Sequence, residues 1–267
     1  MIDTGLTGQV CDDAPLARAT SRSWLEAIAV LAAGLAVLAL ATLAGSAAAS
    51  VFDTWADIGA PRAYRAGTLE SLSTMRLGAF LATFQLAAVV LTLAIARMFR
   101  GDHVAFMALS PLTGGVRSAA KWAALMLLLA SGYAVAVFAC DQGALLGDVK
   151  PFAEIMRSRT WWIVFLAAAV GAPIAEETLF RGLMYGVLKP SPIGGTGAAI
   201  VTAFVWASVH AQYSVYGLGA IFMIGVYLAW VREKTGSLIA PMLCHGVYNA
   251  SIIVALMMTP ESVFQGV

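Results

Sequence analysis

Long apolar runs separated by short polar stretches set the pattern of this chain. Runs near the ~20 residues that cross a bilayer as a helix lie at about 24–46, 77–97, 119–140 and 158–175. A shorter run, polar on one side, covers about 176–189, and three more follow at about 195–211, 216–232 and 237–258. In lipid a helix satisfies its backbone groups within its own segment. The pattern therefore predicts an all-α polytopic membrane protein, a bundle of about eight transmembrane helices. The breaks carry turn chemistry: Asp53, Asp57 and Pro61, then Gly101-Asp102 and Pro111 to Gly115, then Lys189-Pro190-Ser191-Pro192 with Gly194-Gly195, then Lys234 to Ser237. Gly171 and Pro173 fall inside a run, just before Glu176. Proline removes a backbone bond and kinks a helix, so 158–175 and 176–189 read as one element that is broken in the middle.

Three regions follow. Residues 1–23 form a polar tail, 24–155 hold helices without a chemical motif, and 156–258 hold the polar positions of interest. Arg18 and Arg22 precede the first run, and small residues at 45–49 end it, as in a cleaved signal. The run from Trp24 to Leu43 is longer than the ~7–15 residues of a signal core, so an uncleaved first helix is expected. Arg97, Arg100, Arg117 and Lys121 surround the second loop and point to the cytoplasm. Counting eight spans then puts both termini in the cytoplasm and Lys189, Arg232 and Lys234 outside, a conflict the sequence leaves open.

Composition sharpens the membrane reading. The chain of 267 residues is 60% hydrophobic and 12% charged, against about 25% charged in soluble domains, and its mean hydropathy is +0.83. A net charge of +1 offers no basic excess for a nucleic-acid partner. Cys11, Cys140 and Cys244 are scattered, with no CxxC, so neither a disulfide framework nor a thiolate metal site is expected.

Against that background the polar residues of the last hundred positions stand out. A charge at the centre of a bilayer costs on the order of 3 kcal/mol or more, and is kept where it is paired or lines a cavity. Glu176, Glu177 and Arg181 interrupt one apolar stretch. Glu177 and Arg181 are spaced i, i+4 with the acid first, the favoured ion-pair order, which leaves Glu176 free to face another helix. A carboxylate in such a place can act as a general base toward water. Trp206 and His210 share a helix face, as do His245 and Asn249. Histidine can bind metal or donate to an oxyanion, and asparagine can fill an oxyanion hole. A structural ion-pair network at a helix end explains the charges equally well when they are taken alone. Gly182 and Gly186 have small-xxx-small spacing and read as close helix packing.

Glu176-Glu177-Thr178-Leu179-Phe180-Arg181 resembles the EExxxR motif of the CAAX protease and bacteriocin-processing (CPBP) intramembrane proteases, the Abi group that includes Rce1-type enzymes. Trp206-Ala207-Ser208-Val209-His210 resembles its FxxxH motif with Trp in place of Phe, and His245 to Asn249 resembles its HxxxN motif. One such motif is weak; three in order are specific, and they cover about 156–258. The resemblance implies a helical bundle with a polar cavity and the hydrolysis of a CaaX-like or leader peptide held at the membrane. It implies Glu176 as activator of water with His210 assisting, and His245 and Asn249 as stabilisers of the oxyanion. Glu177 and Arg181 would support them, and Trp206 would lie outside the catalytic atoms. Zinc on Glu176, His210 and His245 is permitted, but no HExxH fixes two ligands on one helix, and activation without metal is slightly favoured. The implied partners are the lipid bilayer and a membrane-associated peptide or protein, with no nucleic acid, and the implied location is a bacterial cytoplasmic membrane. A non-enzymatic regulator or scaffold, or a proton-coupled transporter, is the competing reading. A transporter would more often show paired broken helices in both halves, and none is seen here.

Overall fold

The computed structural model describes residues 14–58 and 69–265, with side chains from Trp24 to Ala56 and from 73 to 265. Nine helices make up the regular structure of these residues. They are α1 (Ala14–Ile58), α2 (Leu69–Phe99), the single turn α3 (His103–Phe106), α4 (Gly115–Cys140), α5 (Gln142–Ile155), α6 (Trp161–Leu188), α7 (Gly194–Ser208), α8 (Val215–Thr235) and α9 (Ile239–Met258). A 3₁₀ turn at Glu261–Phe264 follows. Six helices, α1, α2, α4, α6, α8 and α9, are long and apolar enough to cross a membrane. The protein is an all-α polytopic membrane protein.

The count differs from the eight read in the sequence. The runs at 158–175 and 176–189 are one continuous helix, α6, and the described residues hold six long apolar helices and the shorter α7. With 15 residues, α7 is ~22 Å long at 1.5 Å per residue, less than the ~30 Å hydrocarbon core. It ends at Ser208, so His210 lies in the turn after the helix. The merger also removes the charge conflict. Lys189, Arg232 and Lys234 now come to the same end of the bundle as Arg97, Arg100 and the α2–α4 connection. There Arg232 Nη2 reaches Phe106 O at 3.4 Å, Ser237 Oγ donates to Ser110 O at 2.6 Å and Leu238 N donates to Ala108 O at 2.7 Å.

Helix α5 is absent from the hydropathy pattern, since Gly143, Gly147, Asp148, Lys150 and Pro151 break its apolar run. Local chemistry starts it: the Asp141 side chain accepts from Ala144 N at 2.9 Å, an N-cap. It packs through Leu146 and Ala153 against Leu256 and Phe264.

Helices α1 and α2 pair closely. Ala27, Val30, Val37 and Ala41 are buried and recur at helical spacing on one face, while Leu25, Ile28, Leu35, Leu40 and Leu43 point outward. An outward apolar face is what lipid requires. Small residues set the approach: a side chain at Gly45 would meet Phe80, and one at Gly78 would meet Ile163 of α6. The main core joins these helices to Leu179, Phe180, Leu183 and Met184 of α6, Trp206 of α7, Ile224 and Leu228 of α8 and Cys244 of α9. Helix α6 is thus the central post. Gly182 sits against Met107 and Leu238, and Gly186 against Phe106, so their small-xxx-small spacing receives the α3 turn and the start of α9.

Candidate active site

Helix α6 is not uniform. It widens to π geometry at Ala167–Gly171 and again at Glu177–Met184, with the Glu pair at the second junction. Pro173 has no N–H to give the carbonyl four residues back and its ring crowds that carbonyl; a π turn is one way to relieve this. The widened turn exposes carbonyls, and neighbouring helices take them. Gln85 Nε2 of α2 donates to Ala167 O at 3.0 Å, and Asn249 Nδ2 of α9 donates to Ala168 O at 2.8 Å. Gly171 leaves room for Gln85, and Gly246 leaves room for Ala169 O and Pro173.

The two glutamates have different fates. Glu177 is fully buried, as is Arg181. Arg181 Nη1 donates to Glu177 Oε1 at 3.0 Å, and Nη2 to Gly225 O of α8 at 2.9 Å. His245 Nδ1 donates to the same Glu177 oxygen at 3.0 Å. One carboxylate therefore ties α6 to α9, and its arginine ties α6 to α8. Glu177 Oε2 and Arg181 Nε are buried without a partner among the described residues. Glu176, in contrast, is half-buried. Its Oε2 accepts from Trp206 Nε1 of α7 at 2.5 Å.

Trp206 is the centre of the group. Arg181 Cζ lies 4.5 Å from the centroid of its ring, a cation–π distance. The rings of His210 and His245 lie edge-on to it at 5.5 and 5.4 Å between centroids. His210 Nδ1 donates back to Trp206 O at 2.8 Å and so caps the end of α7. A carbonyl or a carboxylate can only accept, so the proton of both imidazoles sits on Nδ1. Each ring thus has Nε2 left to take or give a proton.

The structure brings Glu176, His210, His245, Glu177 and Arg181 around one indole, while Asn249 sits one helical turn beyond His245, on the π turn of α6. Among the described residues, no three of His, Cys, Asp and Glu stand together in a group that could hold a metal ion. The set of Glu176, His210 and His245 that would hold zinc does not form such a group. Cys244 is fully buried beside His245 and packs in the core as a small apolar residue.

Three residues escaped the sequence reading. Trp206 was placed outside the catalytic atoms, yet its N–H bonds the Glu176 carboxylate; its difference from the motif's Phe was the available signal. Tyr213 lies in the turn after His210, at 6.1 Å between their ring centroids, with Phe152 of α5 stacked on it at 6.4 Å. Burial, then the charge of Asp148, then Tyr248 and Glu176 push its hydroxyl up to about 12, so it is neutral at ordinary pH. Asp148 holds the same turn, accepting from Ser214 N and Ser214 Oγ at 2.7 Å each. Gln85, in the region without motifs, gave no sequence signal.

Comparison with known proteins agrees with the motifs. Residues 158–251 match the family model described as type II CAAX prenyl endopeptidase Rce1-like. An Escherichia coli protein described as an uncharacterized 24.3 kDa protein is 31% identical over 85 residues, which are 31% of this chain and 39% of that relative. The match thus spans well under half of that protein. No solved structure matches the chain. Over the stretch 158–251, about a third of its length, the chain is thus similar to the Rce1-like family of CAAX prenyl endopeptidases.

Proposed function

We propose that this protein is an intramembrane endopeptidase that hydrolyses a peptide bond of a membrane-associated CaaX-like or leader peptide. One observation carries the reading: Trp206 holds the Glu176 carboxylate by one oxygen while both imidazoles pack edge-on to the same ring. Glu176 Oε1 has no partner among the described residues and is the atom offered to water. In the proposed step it takes a proton as the water oxygen adds to the scissile carbonyl carbon. His210 assists through Nε2. His245, held at Nδ1 by Glu177, stabilises the oxyanion from its Nε2 side, and Asn249 adds its second amide N–H. Collapse of the tetrahedral intermediate breaks the C–N bond. The leaving nitrogen takes the proton from Glu176, giving a carboxylic acid and an amine.

The buried triad of Glu177, Arg181 and His245 supports this reading. A carboxylate that binds the far nitrogen of a histidine fixes the tautomer and direction of the ring. Purified protein in lipid nanodiscs tests the proposal with a panel of prenylated CaaX-type, leader and unmodified membrane-anchored peptides. Cleavage at a defined bond by the native protein, and none by Glu176→Ala, is the expected result. Equal cleavage by both would sink the assignment of the base. No cleavage of any peptide by either, with both folded, would favour the scaffold reading.

A further inference from the structure

We propose that Trp206 is a positioning residue for the Glu176 carboxylate, a role that the Phe of the family motif has no atom to perform. The proposal rests on the reading of Glu176 as the base. An indole offers one donor and no acceptor, and a buried indole N–H needs a partner. Trp206 is 4% exposed, and its N–H ends on Glu176 Oε2 at 2.5 Å. The indole itself has little freedom. Arg181 lies over its face, two histidine rings stand T-shaped against it, and the carbonyl of the same residue is held by His210. Arg181 is in turn fixed by Glu177 and Gly225 O.

A glutamate has three rotatable side-chain bonds and, half-buried at the middle of α6, several ways to point. A donor mounted on a locked ring selects one of them and leaves Oε1 for water. Phe at this position could keep a ring face for Arg181 and ring contacts for the histidines, but could hold no oxygen. In this chain the orientation of the carboxylate therefore depends on a single indole N–H. The same atom also explains how a half-buried carboxylate next to apolar side chains keeps a direct bonding partner.

Two replacements separate the hydrogen bond from the ring. Trp206→Phe removes the donor and some bulk. Benzothienylalanine at 206 replaces the N–H by sulfur and keeps the indole shape. Both should lower kcat by about 10²-fold, the cost of a misplaced reacting group, with KM held within about twofold, since a transition-state interaction is lost rather than binding. A purely space-filling role would show in Trp206→Phe and vanish in the isostere. Unchanged kcat in the isostere, or a change confined to KM, would overturn the proposal. A second readout needs no cleavage. The indole ¹⁵N–¹H resonance that disappears in Trp206→Phe should move strongly in Glu176→Ala, which removes the acceptor, and a resonance that stays put would show that the bond is absent. If Glu176→Gln cleaves like the native protein, the base reading fails; if it is inactive while the isostere keeps full kcat, only the role of Trp206 fails.

Discussion

Helices α1 and α2 and helices α6, α7 and α9 solve the same problem, a helix in lipid, in opposite ways. The first pair keeps its ion pairs at the ends, where Arg76 meets Asp53 at 2.8 Å and Arg100 meets Glu26 at 3.3 Å, all of them exposed. Between those ends the described side chains are apolar or small and neutral, with Gln85 the largest polar exception. The second group puts an arginine and a glutamate, both with no exposure, at the middle of its central helix. Exposed pairs contribute about 0–1 kcal/mol. Breaking a buried pair costs about 3–5 kcal/mol, because one charge is left uncompensated. A bundle does not need that liability to fold, as α1 and α2 demonstrate. Its presence in α6 is best explained by what the pair holds in place, namely His245 on one side and the ring of Trp206 on the other.

The contrast can be broken most forcefully at Arg181. Arg181→Ala should lower unfolding stability by about 3–5 kcal/mol and abolish cleavage with it, measured by denaturant unfolding in micelles. A stability loss no larger than that of Arg76→Ala would erase the distinction between the two regions. Asn249→Ala comes next. Loss of an oxyanion donor typically costs about 10²–10³ in rate, and the freed Ala168 O should add a stability loss of about 1 kcal/mol. Loss of stability with kcat unchanged would leave Asn249 as a holder of the π turn alone.

Gln85→Leu probes a polar link from the region without motifs to the π turn of α6. It should cost about 1 kcal/mol and lower kcat modestly, since Ala167 O keeps Ala172 N as a backbone partner. An effect as large as that of Asn249→Ala would mean that α2 belongs to the catalytic unit. The smallest effect belongs to Arg76→Ala, about 0–1 kcal/mol with activity unchanged; a larger loss would show that the α1–α2 end pair matters more than its exposure implies.

Much of this was legible beforehand, for reasons that differ by residue. Hydropathy marks a lipid-facing helix over its whole length, so the α1, α2, α4, α8 and α9 runs could be placed. The i, i+4 spacing of Glu177 and Arg181 was readable because it is local. Three things were not. That 158–175 continues into 176–189 without a break depends on Gln85 and Asn249 taking carbonyls of a π turn, which are contacts from distant helices. Helix α5 is short, capped and half-polar, so it leaves no apolar run. The bond from Trp206 to Glu176 joins residues 30 apart, and a tryptophan in an apolar helix carries no mark of where its N–H will end.

The central claim is that Glu176, and not the buried pair beside it, performs the chemistry. Cleavage of one defined peptide by Glu176→Gln, compared with native protein at equal folded concentration in the same lipid, tests it most directly. The substitution keeps the shape of the side chain and an oxygen for Trp206 but removes the base. The account predicts a fall in kcat of about 10²–10⁴-fold, the contribution of a general base, with the protein still folded. A rate unchanged from the native protein would contradict it.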